Sequence, residues 1–156
     1  FGGIRFGPKI AKQMKHNYDV LFSGNWSTMD EFGNHLEEQR KSDPSPDHYM
    51  LERKAALYIQ KTFSGFGPKQ SRNFWQSLGL TRYEFVLDSR VLKWLRTIGF
   101  PLPLSSMALG EEEYYCFVSD ILRDWCIQTG VLPCILDAAI FSSYDTDEWP
   151  EDASVW

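Results

Sequence analysis

The stretch that most limits what this chain can fold into is Gly65-Phe66-Gly67-Pro68-Lys69, set between two helical segments. Glycine tolerates positive φ and close backbone approach, so two glycines one residue apart allow a hairpin too tight for side chains. Pro68 suits a first helical position, where its missing N–H would be an orphan in any case. Lys69, Asn73, Phe74 and Ser77 follow at helical spacing, and Arg53 to Thr62 reads as the helix before the hairpin. Helix, hairpin, helix leaves N–H groups pointing outward at a helix N-terminus, a place that favours an anion. Nineteen residues after Lys69 stands Asp88, which closes the apolar run Phe85-Val86-Leu87 and opens a helix over 89–98.

The remaining chain predicts an all-α protein. Gly7-Pro8 opens a helix to about Phe22 with Ile10, Met14, Tyr18 and Leu21 on one stripe, and Gly24 stops it. Ser27, followed by Asp30 and Glu31, reads as the next helix start, with Phe32 and Leu36 on the apolar side. The segment 42–47, SDPSPD, is a linker whose Asp47 is placed to cap a helix over 49–62. FPLPL at 100–104 reads as extended. A long helix over 110–129 carries three leading glutamates and turns Phe117, Ile121, Leu122 and Trp125 toward the core, ending at Gly130. Pro133 starts the last helix, through Ile140-Phe141, and an acidic tail with two tryptophans follows. The divisions are 1–46, 47–100 and 101–156, in one cooperative unit.

Composition narrows the function classes. With 43% hydrophobic and 15% aromatic residues, the 156-residue chain supports a real core and is not a disordered one. No run of about 18 apolar residues exists, so no membrane partner is expected. Cys116, Cys126 and Cys134 form neither a disulfide framework nor a zinc pattern, and read as free thiols among apolar neighbours. Net charge is −5, yet it is unevenly spread. Residues 53–96 hold nine Lys/Arg against Glu84 and Asp88, giving +7, while 111–156 hold one Arg against eleven acids, giving −10. A basic block centred on a helical hairpin is an electrostatic footprint for phosphate, although a solvated charged face is the plainer alternative.

These residues carry a resemblance. GFGPK with an aspartate at +19 resembles the helix-hairpin-helix DNA glycosylase superfamily, in which that pattern holds the lysine and aspartate of bifunctional glycosylase/lyases. The opening FGGIRFGPKIAKQM, the QKTFSGFGPKQSRNFWQSLG block, VLDSRVLKWL and the terminal LDAAIF look most like the small archaeal and bacterial 8-oxoguanine DNA glycosylases. Iron–sulfur relatives need four cysteines, which this chain lacks, and monofunctional relatives lack the lysine.

The resemblance implies Lys69 and Asp88 as catalytic residues. Gly65, Gly67 and the Lys69 backbone would hold a DNA phosphate, with an alkali cation the only metal the hairpin would take and no cofactor. Arg90 stands where the family has a histidine touching phosphate. Asn73 would line the base pocket, and Phe141 would stack on the flipped base. The partner the resemblance implies is double-stranded DNA containing a damaged base, in an intracellular setting: the cytoplasm and nucleoid, or the nucleus of a eukaryote. The family also carries helices ahead of the equivalent of Phe1. The apolar Phe1, Ile4 and Phe6 and the stripe Ile10, Met14, Tyr18 and Leu21 are therefore expected to want a partner segment, such as an N-terminal fragment of the same protein. The family's chain ends in a lysine near the base, where this one ends in acidic residues and Trp156.

The chemistry asks for these residue types. Removing a base needs a nucleophile at C1′ and a carboxylate to stabilise an oxocarbenium-like centre and help proton transfer. The amine must be neutral to attack, which burial and neighbouring positive charge favour. The function the resemblance implies is base-excision repair: a glycosylase with AP lyase activity that removes an oxidised purine, 8-oxoguanine first among them. The alternative is a non-catalytic helix-hairpin-helix module whose lysine only contacts phosphate.

Overall fold

The computed structural model describes residues 7–144, and every regular element among them is helical. Seven α-helices lie in these residues: α1 (Gly7–Val20), α2 (Trp26–Lys41), α3 (Tyr49–Thr62), α4 (Pro68–Ser77), α5 (Ser89–Thr97), α6 (Glu112–Thr129) and α7 (Pro133–Ser143). The breaks follow residue chemistry. Gly24, at φ 116°, kinks the chain between α1 and α2, and Gly130, at φ 71°, closes α6 in the left-handed conformation. Pro68 and Pro133 occupy first-turn positions of α4 and α7. Three expected starts differ. Ser27 lies inside α2, its hydroxyl donating to the Gly24 carbonyl, because the chain continues almost helically through the kink and leaves no extended cap residue. Asp47 sits in a single 3-10 turn (Pro46–His48) that runs into α3 with no side-chain cap. A second such turn, Ala108–Gly110, precedes α6, so that helix starts at Glu112 rather than Gly110.

Two apolar clusters form the core. One joins Leu36 of α2 to Ala55, Ala56 and Ile59 of α3 and Trp75 of α4. The other joins Phe85 and Leu87 to Val91 and Leu95 of α5, to Tyr115, Val118, Leu122 and Cys126 of α6, and to Ile140 of α7. Burying each large aliphatic side chain contributes about 1.5–3 kcal/mol relative to exposure. Between the clusters lies a polar layer. Arg72, 1% exposed, reaches Glu84 at 2.6 Å and Glu112 at 2.8 Å, with its guanidinium 4.5 Å from the Tyr115 ring centre. Arg53 pairs with Glu84 at 2.7 Å and also with Asp120, and Arg123 pairs with Asp120 at 2.7 Å. Breaking one partner of such a pair strands a buried charge, so this layer fixes how the two clusters meet.

That layer corrects three sequence expectations. The buried face of α6 runs through Tyr115, Val118, Ser119, Leu122, Arg123 and Cys126, whereas Phe117 and Trp125 are largely exposed. Satisfied polar groups on the core side hid the true helical period. Arg53 and Arg72 turn inward to meet acids of α6, so seven of the nine basic residues of the 53–96 block remain for the surface. Cys116 is not among apolar groups either, since its Sγ lies 3.2 Å from both the Arg72 guanidinium and the Glu112 carboxylate.

The segment before α5 has no ladder of its own, and side chains hold it. Glu52, 1% exposed, accepts the backbone N–H groups of Arg82, Tyr83 and Glu84, each at 2.8 Å. The Tyr115 hydroxyl accepts from Leu87 N at 2.8 Å and donates to the Phe85 carbonyl at 3.0 Å. These contacts set where Asp88 begins α5. Glu52→Ala orphans three buried amides, each costing about 1–3 kcal/mol, so a loss of at least about 3 kcal/mol is expected in urea unfolding. A loss well under about 1 kcal/mol would mean that the three amides find other acceptors. At the other end, α1 buries no residue: Ile10 is 36% exposed, Met14 66% and Tyr18 63%, and Phe22 and Trp26 continue the exposed face. Phe1, Ile4 and Phe6 lie outside the described residues.

Candidate active site

The hairpin between α3 and α4 is locked from two sides. Gly65 takes φ 90°, a conformation that favours glycine, and a Cβ there would sit 3.0 Å from the end of the Gln13 side chain, which would have to shift. Asn17 of α1 holds the preceding residue, donating to the Ser64 carbonyl at 2.9 Å and accepting Ser64 N–H at 2.7 Å. Gly67 differs from expectation. Its φ of −97° and ψ of −174° are extended backbone open to any residue, and a Cβ there would meet nothing within 4 Å. Nothing among the described residues requires a glycine at this position. Among the described residues, the N–H groups of Gly65, Phe66 and Gly67 have no acceptor, and α4 starts immediately after them.

Lys69 and Asp88 come together across one cavity of about 460 Å³. It is lined by Lys69, Gln70, Asn73 and Gln76 from α4, by Val86 and Asp88, and by Asp137, Ala138, Phe141 and Ser142 from α7. Such a volume falls within the range of about 300–1,000 Å³ common for small-molecule sites. Lys69 is half-buried. Among the described residues, no carboxylate oxygen lies within 4 Å of its ammonium, so Asp88 faces the same space without pairing with it. Asp88 is the N-cap of α5, its Oδ1 accepting Arg90 N at 2.8 Å and Val91 N at 2.9 Å. Its Oδ2 makes only a loose contact, 3.6 Å, with Arg90. One oxygen therefore fixes the backbone and the other has no close donor.

The remaining expected residues fall around this cavity in an unequal way. Asn73 lines it and is exposed. Phe141 lines it too, but the Arg90 guanidinium lies 4.0 Å from its ring centre. Arg90 thus covers one face of that ring, and its expected phosphate contact would require it to let go. Phe74 and Ser77 turn away: Phe74 packs edge-on to Trp75 and Phe66, and Ser77 bonds the Phe74 carbonyl. The working face of α4 is Lys69, Asn73 and Gln76.

Two residues of the site escaped the sequence reading. Asp137, 9% exposed, accepts a hydrogen bond from the Gln76 amide. Burial pushes its pKa up to about 6; the Gln76 bond pulls it down and the Asp88 carboxylate pushes it further up. A lone carboxylate in the apolar run LDAAIF, one helical turn before Phe141, was the available signal. Gln76 had a similar signal, lying seven residues after Lys69 on the same face of α4.

Other hollows carry less chemistry. One of about 710 Å³ is lined by Glu111, Glu112, Glu113, Tyr114 and Phe117 and would repel an anion. Among the described residues, no group of three His, Cys, Asp or Glu is placed to hold a metal. Among the described residues, no single helix is long and apolar enough to cross a membrane. Comparison of the chain with protein-family models, curated proteins and solved structures finds no match.

Proposed function

We propose that this protein is a helix-hairpin-helix DNA glycosylase with AP lyase activity, acting on an oxidised purine through Lys69 and Asp88. The observation that carries the reading is their shared cavity: an unpaired lysine and a helix-capping aspartate with one free oxygen, nineteen residues apart in sequence, face one space. The hairpin beside it offers N–H groups without acceptors. Gly67, glycine for no internal reason, suits close approach of a phosphate.

The flipped nucleotide enters the cavity with its C1′ between the two groups. Lys69 Nζ, having given up one proton to solvent, attacks C1′, and the C1′–N9 bond breaks with its electron pair leaving on the base. Asp88 Oδ2 stabilises the positive charge growing on the sugar and relays the proton lost by the amine to the departing base. Ring opening then gives a C1′=Nζ imine. Loss of a C2′ proton from that imine expels the 3′ phosphate and cuts the strand. Duplex DNA containing 8-oxoguanine is the first substrate, and intracellular DNA is the setting.

Borohydride reduces such an imine to a stable amine, so incubation with DNA carrying 8-oxoguanine or an abasic site is expected to give a covalent protein–DNA adduct. A protein that binds this DNA yet forms no adduct is the non-catalytic hairpin module instead. Binding itself is expected to depend on salt. Seven surface basic residues, of which about four to five reach phosphate, give a log–log slope of about −4 between about 50 and about 200 mM salt. A flat dependence contradicts phosphate contact at the hairpin.

A further inference from the structure

Among the described residues, α1 and the start of α2 carry an apolar row with nothing packed over it. Ile10, Met14, Tyr18, Phe22 and Trp26 recur every four residues, and the last four are each more than half exposed. The row runs on through the kink at Gly24. Tyr18 and Phe22 lie 4.6 Å apart between ring centres, and Phe22 and Trp26 stack at 6.2 Å with their planes 5° apart. The other side of this element is anchored. Asn17 bonds Ser64 of the hairpin, while Val20, Leu21, Met29 and Phe32 pack on the core cluster of α2, α3 and α4. A fixed apolar row at i, i+4 spacing is a ridge that fits the groove of another helix. The charges beside the row say which helix. Residues 7–18 hold Lys9, Lys12 and Lys15 and no acid, whereas 19–31 hold Asp19, Asp30 and Glu31 and no Lys or Arg. All six are exposed, and among the described residues none makes an ion pair within the chain. A nucleic-acid strand, or any partner of one sign, would be attracted by one half and repelled by the other. A copy of the same element turned end for end meets both halves with the opposite sign.

We infer that two copies of this chain pair through this face, the α1–α2 joint of one lying antiparallel to that of the other about a twofold axis. The contact is isologous, since each copy offers the same row and the same two charged halves. At about 150–250 Å² for each large side chain, the row exposes about 500–600 Å² of apolar surface per copy. That is the upper end of the about 300–600 Å² found on a typical monomer. Covering it from both sides buries about 1,000 Å² or somewhat more, the lower limit of a specific interface. An area of that size belongs to a reversible dimer rather than an obligate one. The pairing uses none of the residues that line the cavity shared by Lys69 and Asp88.

Sedimentation equilibrium of the whole chain, between about 1 and about 200 μM, tests the pairing. The mass is expected to rise from that of one chain, 18.1 kDa, toward that of two. Phe22→Glu, in the middle of the row, is expected to weaken association at least about tenfold. Lys12→Glu with Lys15→Glu, and Asp30→Lys with Glu31→Lys, each bring like charges together and are expected to weaken it about tenfold as well. Mixed, these two charge variants are expected to pair with each other, and all four substitutions in one chain to restore the dimer. The reversed residues are exposed and unpaired, so they read the contact even if Phe22→Glu fails to fold. The mass of a single chain at every concentration overturns the inference and leaves the row to another occupant, such as an N-terminal segment of the same protein. A dimer untouched by Phe22→Glu places the contact elsewhere and overturns it too. One that Phe22→Glu breaks but the charge variants leave intact rules out the antiparallel pairing. A monomer whose affinity for duplex DNA falls with Phe22→Glu assigns the face to nucleic acid instead.

Discussion

Lys69→Gln is expected to abolish the borohydride adduct and base release, by at least about a thousandfold, while DNA binding survives. Glutamine has no amine to form an imine, and its amide still fits the half-buried position on the first turn of α4. The hairpin does not depend on this side chain: Gly65, the Asn17–Ser64 bonds and Pro68 set its shape. Loss of one positive charge should weaken binding only a few-fold and lower the salt slope by about one. Adduct gels and mobility shifts on the same DNA read the two effects separately. An adduct at wild-type level would place the nucleophile elsewhere. Loss of binding in step with the adduct would leave Lys69 as a phosphate contact.

The elements that carry the site were legible because local rules set them. Pro68 after Gly67 fixes where α4 starts, Asp88 before Ser89 fixes where α5 starts, and both hold in the fold as read. Local rules also found Gly24, Gly130 and Pro133. They failed where tertiary contacts decide. The core face of α6 was misread because Ser119 and Arg123 are buried by partners far away in sequence, Phe85 and Glu84. The charge of 53–96 was overcounted for the same reason, since Arg53 and Arg72 neutralise acids that lie 12 to 67 residues later in the chain, in its interior layer. Glu52, which holds the backbone of Arg82, Tyr83 and Glu84 from 30 to 32 residues away, left no trace in any periodic pattern. Asp137 did leave one, a charge in an apolar helix. Such a residue stays buried only with a partner or a purpose, and Gln76 supplies just one hydrogen bond toward satisfying it.

Asp88→Asn is expected to lower single-turnover base release about a hundred- to a thousandfold while leaving the fold nearly as stable. On the proposed mechanism the two oxygens of Asp88 have separate tasks, and this substitution divides them. Oδ1 caps α5 by accepting from Arg90 N and Val91 N, a role that the asparagine carbonyl fills almost equally well. Oδ2 faces the cavity with only a 3.6 Å contact to Arg90, and there the variant puts a neutral amide donor. A donor cannot stabilise positive charge on the sugar, so the loss appears in the chemical step rather than in binding. Asp88→Ala serves as the contrast. It should lose the same rate and, in addition, about 0.5–2 kcal/mol of stability with the cap. Equal rates for wild type and Asp88→Asn would reduce this residue to a helix cap. A slow Asp88→Asn as unstable as Asp88→Ala would mean that the charge at the start of α5 holds the site in shape, through the helix dipole, rather than acting on the substrate.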